Sequence, residues 1–168
     1  TIGVEEIQDI IEENLKKNNE DVYNSFSEYY DALMQNVGYA QRAQYIMECF
    51  KRLDHDMGLS LDLACGTGSL TVELKKRGVD VYGVDASYDM LSHAREKAYE
   101  NELDILFLCQ KMQSIALYGT IDTCVCTLDS INHLTKIEDV QKTFDRVSLF
   151  MNQGGYFLFD ANTLYKHK

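Results

Sequence analysis

Residues Leu61-Asp62-Leu63-Ala64-Cys65-Gly66-Thr67-Gly68 form a short apolar run that breaks into a turn of small residues. Val79-Asp80-Val81-Tyr82-Gly83-Val84-Asp85 follows as a second apolar run, ending in a carboxylate. The first run reads as a buried strand and Ser69 to Arg77 as a helix, so Gly66 and Gly68 fall where a strand hands over to a helix N-terminus. Small residues at such a turn let a ligand lie against bare backbone. An acid closing the second strand, about twenty residues on, suits a ribose, because a carboxylate only accepts hydrogen bonds and a vicinal diol has two to donate. The two features together predict a nucleotide-type cofactor pocket.

The rest of the chain sets this pocket in a repeating pattern. Val4, Ile7, Ile11 and Leu15 recur at helical spacing, Asp21 to Met34 carries Tyr23, Phe26, Tyr29, Tyr30 and Leu33 at three- and four-residue intervals, and Tyr39 to Leu53 continues as a further helix. Residues 1–57 are therefore expected to be an all-helical leader, and 58–168 a core of different character. In that core Leu59 to Ala64, Val79 to Val84, Ile105 to Cys109, Ile121 to Leu128 and Gly155 to Asp160 are apolar, β-prone runs separated by helical or loop-like stretches. Strands apolar along most of their length and alternating with helices predict an α/β fold, a doubly wound, mostly parallel sheet covered on both faces. Right-handed crossovers then bring the carboxyl ends of all the strands to one edge, the candidate site.

Composition narrows the function classes. A chain of 168 residues with 45% hydrophobic content suits a single domain. A net charge of -11 and a pI near 4.7 lack the basic footprint of nucleic-acid binders, so no nucleic-acid partner is expected. Cys49, Cys65, Cys109, Cys124 and Cys126 fall on positions expected to be buried, without a Cys-x-x-Cys pair or a ligand cluster, and no metal is assigned. No apolar segment approaches the length of a membrane span and no signal-like start is seen, so a cytoplasmic protein is expected. The chain begins with Thr1 and stops a few residues past its last apolar run, which suggests a piece of a longer protein.

The register of the first turn discriminates among nucleotide pockets. Ala64-x-Gly66-x-Gly68 is followed by Ser69, Leu70 and Thr71, so the third glycine of a dinucleotide fingerprint is missing, as is the Gly-Lys-Ser/Thr of a phosphate loop. Leu-Asp-Leu-Ala-Cys-Gly-Thr-Gly instead closely resembles motif I of the class I S-adenosylmethionine-dependent methyltransferases. Val81 to Ser87, with Met90-Leu91 and Ala94-Arg95 behind it, resembles that family's second-strand acidic motif; Ile121-Asp122 through Leu128 to Leu134 resembles its fourth-strand motif, and Gly154-Gly155 to Asp160 the start of its fifth strand. The resemblance covers roughly residues 59–164 in the right order and spacing.

It implies a Rossmann-like methyltransferase fold with an N-terminal helical cap and with S-adenosylmethionine as cofactor. The backbone of Ala64, Cys65, Gly66 and Gly68 would pass beside the methionine moiety, Asp85 would take the ribose hydroxyls, and Ala86 and Met90 would flank the adenine. The carbonyl near Leu128 would receive the ammonium, Tyr30 would reach the cofactor from the cap, and Asp62 would chiefly order the loop. The family often places an acid after the third strand to accept from the adenine amino group. Here the segment reads Gln110-Lys111-Met112-Gln113, so adenine would be held by apolar contact, by the backbone at Met112, or by Gln110 or Gln113.

Methyl transfer from a sulfonium needs positioning more than acid catalysis. A base is required only where the acceptor must lose a proton, and His133 is the weak candidate, with Asp129, Asn132, Tyr39 and Arg42 nearby in the scheme. The family's closing antiparallel strands are not found before Lys168, so the sheet edge is expected to be open or covered by a second copy. The resulting expectation is a methyltransferase acting on a small-molecule acceptor. A methyltransferase fold that binds without chemistry is the alternative, and a nicotinamide-dependent oxidoreductase the third reading.

Overall fold

Strands and helices alternate as the apolar periods require. In the computed structural model, which describes residues 38–127 and 136–159, the order is α1 (Tyr39–Arg52), β1 (Leu59–Leu63), α2 (Ser69–Lys76), β2 (Asp80–Asp85), α3 (Tyr88–Glu100) and β3 (Phe107–Cys109). A single 3-10 turn (Met112–Ser114), β4 (Ile121–Cys126), α4 (Ile137–Phe150) and β5 (Met151–Phe159) complete it. The helices expected at 4–15 and 21–34 lie outside the described residues.

Among the described residues all strand pairs are parallel, in the order β3-β2-β1-β4-β5. The doubly wound α/β architecture expected from the sequence is therefore present. The chain steps outward from β1 to β3 and then crosses back to the other side of β1, so the winding direction reverses between β1 and β4. Such a switch point leaves a crevice beyond the carboxyl ends of the two strands, because the connections that follow them diverge.

Side-chain alternation along the strands divides the core into two layers. Leu61 and Leu63 of β1, Val84 of β2 and Cys124 and Cys126 of β4 pack with Val140 and Val147 of α4 on one face. Val81 and Val125 point the other way, against Ala43, Ile46 and Phe50 of α1 and Leu70 and Leu74 of α2. Leu91, Ala94 and Ala98 of α3 continue that second layer over Phe107 and Val72. Complete burial of a leucine such as Leu61 or Leu63 contributes about 1.5–3 kcal/mol of transfer free energy. The spacing of Ala43, Ile46 and Phe50 gives α1 one buried stripe, and Lys51 and Arg52 in its last turn favour the negative end of the helix dipole. No helix among the described residues is long and apolar enough to cross a membrane.

Two expectations need correction. β5 begins at Met151 rather than Gly155, because α4 ends at Phe150 and the next residue turns straight into extended backbone. Met151 pairs with Ile121, but the next pair is Tyr156 with Thr123, so the intervening residues bulge out of the ladder. Glycines close that bulge: Gly154 has φ +82°, and a Cβ on Gly155 would come within 2.8 Å of the Asp122 carbonyl. The cysteines also differ. Cys124 and Cys126 are buried as expected, but Cys49 and Cys65 are half-buried and Cys109, the last residue of a sheet-edge strand, is exposed.

Candidate cofactor site at the carboxyl edge of the sheet

The turn after β1 takes its shape from left-handed backbone. Ala64 (φ 57°), Gly66 (φ 58°) and Gly68 (φ 75°) all adopt it, and for Ala64, which carries a Cβ, this costs about 1–2 kcal/mol. The two glycines serve different ends. A Cβ on Gly66 would meet nothing within 4 Å, so that part of the loop presents bare backbone to open space. A Cβ on Gly68 would stand 2.8 Å from that of Ala94 and 3.3 Å from the Phe107 ring, so Gly68 lets α3 and β3 close against the start of α2. Gly83 does the same one strand over, where Cys65 Sγ and Phe107 leave no room for a side chain.

Asp85 holds this loop from the end of β2. One carboxylate oxygen accepts from Gly66 N at 3.1 Å and the other from Ser87 N at 2.9 Å. Cys65 N donates to Val84 O at 3.0 Å, which fastens the same two strand ends together. A carboxylate accepts about four hydrogen bonds in all, so Asp85 retains acceptor capacity for a diol. Ser87 then starts α3, accepting from Met90 N at 3.3 Å, with Asp89 in the first turn where a negative charge is favoured. Ala86 and Met90 are both exposed beside it, at the edge where the sequence puts them.

Asp62 lies below the loop, 2% exposed, and accepts from Thr71 Oγ1 at 2.7 Å. Burial pushes its carboxyl up to about 7, the Thr71 bond opposes that rise, and the charge of Asp85 adds to it. Burial raises the Cys65 thiol well above its ordinary value, helped by both aspartates, so Cys65 stays protonated and is a packing group rather than a nucleophile. Lys97 reaches from α3 to the start of α2, donating to Ser69 Oγ at 2.6 Å and to Thr67 Oγ1 at 3.4 Å, and burial lowers its pKa.

On the far side of Asp85, Gln110 N donates to its carbonyl at 3.0 Å. The Gln110 side chain closes a loop, donating to Ala116 O at 3.0 Å and accepting from Ala116 N at 2.9 Å. Both ends of its amide are thus engaged within the protein, and Met112 and Gln113 are the half-buried members of that segment, with Lys111 exposed. Met112 packs against the core beneath α4.

The structure therefore brings Asp62, Ala64, Cys65, Gly66, Gly68, Asp85, Ala86, Met90 and Met112 to one edge. Tyr30, Leu128, Asp129, Asn132 and His133 lie outside the described residues. Thr71 and Lys97 were missed by the sequence reading. Thr71 stands one turn into the helix after the glycine loop, a position that could have been flagged as facing Asp62; Lys97 arrives from another helix and has no local signature.

Comparison with known proteins agrees with this geometry. Residues 61–155 match the family described as methyltransferase domain. The putative methyltransferase YqeM of Bacillus subtilis (strain 168) is 36% identical over 146 residues, which cover 86% of this chain and 57% of the relative. A putative methyltransferase of Geobacillus sp. (strain WCH70) is 34% identical over 145 residues, covering 86% and 59%. The crystal structure of a S-adenosylmethionine-dependent methyltransferase from Clostridium acetobutylicum ATCC 824 superposes with a TM-score of 0.74 at 35% identity, over 86% of this chain and 59% of that one. The glycopeptide N-methyltransferase MtfA, solved with S-adenosyl-L-methionine, gives a TM-score of 0.61 at 25% identity, over 71% and 48%. The chain spans less than two thirds of the length of each of these relatives. It belongs to the methyltransferase-domain family, with the class I S-adenosylmethionine-dependent fold.

Proposed function

We propose that this methyltransferase-family chain is the cofactor-holding part of an enzyme that transfers a methyl group from S-adenosylmethionine to a small-molecule acceptor. The observation that carries the reading is the bare loop Ala64 to Gly68 at the switch point, held by a carboxylate that still has acceptor capacity. When bound, the cofactor supplies an electrophilic methyl on a sulfonium whose leaving group is a neutral thioether. The protein's part is then positioning. The backbone from Ala64 to Gly68 admits the methionine moiety, Asp85 accepts from the ribose hydroxyls, and Ala86 and Met90 offer apolar surface to the adenine. Met112 lines the same end, and the family resemblance assigns the ammonium to the carbonyl near Leu128.

Two buried or half-buried acids beside an open loop fit a ligand of net positive charge, which the sulfonium cofactor is. The likeness to a glycopeptide N-methyltransferase and the acidic chain favour a small acceptor over nucleic acid. Where that acceptor must lose a proton, His133 is the base the sequence offers, and Tyr30 a cofactor contact that the family resemblance implies. The segment before residue 58, which the sequence pattern marks as helical, would act as the cap and the remainder as the cofactor core. Isothermal titration of the chain with S-adenosylmethionine and with S-adenosylhomocysteine tests the reading: both are expected to bind, and Asp85→Ala to weaken both at least tenfold. No heat with either ligand overturns it.

A further inference from the structure

The end of β2 fixes the near side of the loop from Ala64 to Gly68. Cys65 N and Gly66 N are tied to Val84 and Asp85, and Gly68 is pinned by its packing against Ala94 and Phe107. Thr67 lies between two glycines in left-handed backbone, which restrain the chain less than any other residue, and Gly68 offers no side chain to cap α2. Among the described residues the Thr67 hydroxyl is bonded to Lys97 alone, at 3.4 Å. Lys97 reaches it from α3 and takes its firmer hold on Ser69 Oγ, at 2.6 Å. Ser69 opens α2, whose Leu70, Thr71, Val72 and Leu74 are buried, so this second partner is fixed by the core. The ammonium thus has one anchored contact and one on the loop.

Among the described residues Lys97 meets no carboxylate at ion-pair distance, and Glu100, one turn on, acts on it only at longer range. The last turn of α3 suits a cation, but the side chain carries its charge to the first residue of α2, where a helix dipole disfavours one. That placement gives up some helix stability for two hydroxyl contacts. We propose that Lys97 is a positioning residue for the cofactor loop: anchored on Ser69, it holds Thr67 and presets the backbone from Ala64 to Gly68 before a ligand arrives. A loop set in advance loses less freedom on binding, so the ligand is held more tightly without touching the lysine. This inference rests on the S-adenosylmethionine reading above.

The test is calorimetric titration of the wild-type chain and its variants with S-adenosylmethionine and S-adenosylhomocysteine, under conditions where chemical denaturation shows each variant to be folded. Lys97→Met keeps the length of the side chain and loses both hydrogen bonds. It should weaken both ligands alike, by about five- to tenfold, and Lys97→Arg should recover most of that loss. The sign separates positioning from charge. The sulfonium ligand carries a net positive charge and the thioether none, so a lysine acting through its charge alone would let Lys97→Met bind S-adenosylmethionine more tightly and S-adenosylhomocysteine unchanged. Amide hydrogen exchange gives a second readout: in ligand-free Lys97→Met, Gly66 and Gly68 should exchange faster than in the wild type, and saturating S-adenosylhomocysteine should remove the difference. Should Lys97→Met fail to fold, the same measurements on Thr67→Val decide, with Thr67→Ser, which keeps the hydroxyl, expected to lose less. Unchanged affinity, tighter binding of the sulfonium form or unaltered exchange overturns the inference and leaves the cofactor reading standing, whereas absence of binding by the wild-type chain overturns both.

Discussion

The two ends of the sheet treat the same residue type in opposite ways. At the carboxyl end Asp62 is buried with one hydrogen bond, and its pKa is raised. At the amino end Asp122 accepts from Asn152 Nδ2 at 2.8 Å and from Leu59 N at 3.0 Å, bonds that hold its pKa below the ordinary carboxylate value. The surroundings of Asp122 are equally well supplied. Thr123 Oγ1 donates to Met57 O at 2.7 Å and also contacts His55 Nε2 at 2.8 Å, while Ser60 Oγ donates to the same Met57 carbonyl at 3.1 Å. His55 lies among Phe50 and Tyr156, with ring centroids 5.4 and 4.7 Å away. The amino end is a closed polar network that joins β1, β4 and β5. The carboxyl end leaves strained backbone, an open loop and an acid short of partners, which is where binding energy can be spent on a ligand. A broad cavity of about 1530 Å³ opens at the amino end, beside His55, Gly58 and Arg77. It touches none of the glycine loop, so volume alone points to the opposite edge from that loop.

The largest test of this contrast is glycine replacement. Gly68→Ala must tolerate both a left-handed backbone and a collision with α3, and is expected to cost about 3 kcal/mol of unfolding free energy. Gly154→Ala near the amino end meets only the backbone strain and should cost about 1 kcal/mol, both read by chemical denaturation. Equal costs would mean that the Gly68 contact relaxes freely.

The acids come next, and their pH dependences have opposite signs. The folded pKa of Asp62 lies above its unfolded value, so its contribution is full below about pH 4 and declines through about pH 7, on the order of 4 kcal/mol in total. Asp62→Asn should remove that decline from the stability curve. Asp122 has a depressed pKa, so its contribution is present above the unfolded value and is lost in more acidic solution. Asp122→Asn should flatten only the acid limb. If both variants altered the same pH range, the contrast between the two ends would collapse.

A smaller effect is expected at Thr71→Val, which removes the one donor to Asp62 without changing volume much. It should move the Asp62 midpoint further up by carboxyl carbon NMR and cost about 1–2 kcal/mol. Arg77→Gln, away from the cofactor site, breaks the i,i+4 pair with Glu73 and should cost only about 0.5 kcal/mol in thermal or chemical unfolding.

Much of the site was legible because its signals are local. Gly66, Gly68 and Asp85 were marked by their places at the ends of apolar runs, whereas Ala86 and Met90 were reached only through the family resemblance. Exposure of Cys109 was not legible: strand alternation tells which face a residue takes, but not that the strand ends at the rim of the sheet. The start of β5 escaped for a related reason, since Met151 and Asn152 continue the apolar and polar rhythm of α4 until pairing with Ile121 decides their conformation. Gln110 looked free to meet an adenine until the return of the chain at Ala116 engaged its amide.

By itself the sequence determined the alternating parallel architecture, the turn that bares its backbone and the acid that closes β2, because period, glycine placement and strand-final charge act within a few residues of one another. Only the tertiary structure decided that Asp62 is sealed beneath α2 with Asp85 as its charged neighbour, that Asp122 is fully served at the other end, and that Lys97 is drawn to Ser69. Those outcomes depend on desolvation and on distances between segments far apart in the chain, which packing alone sets.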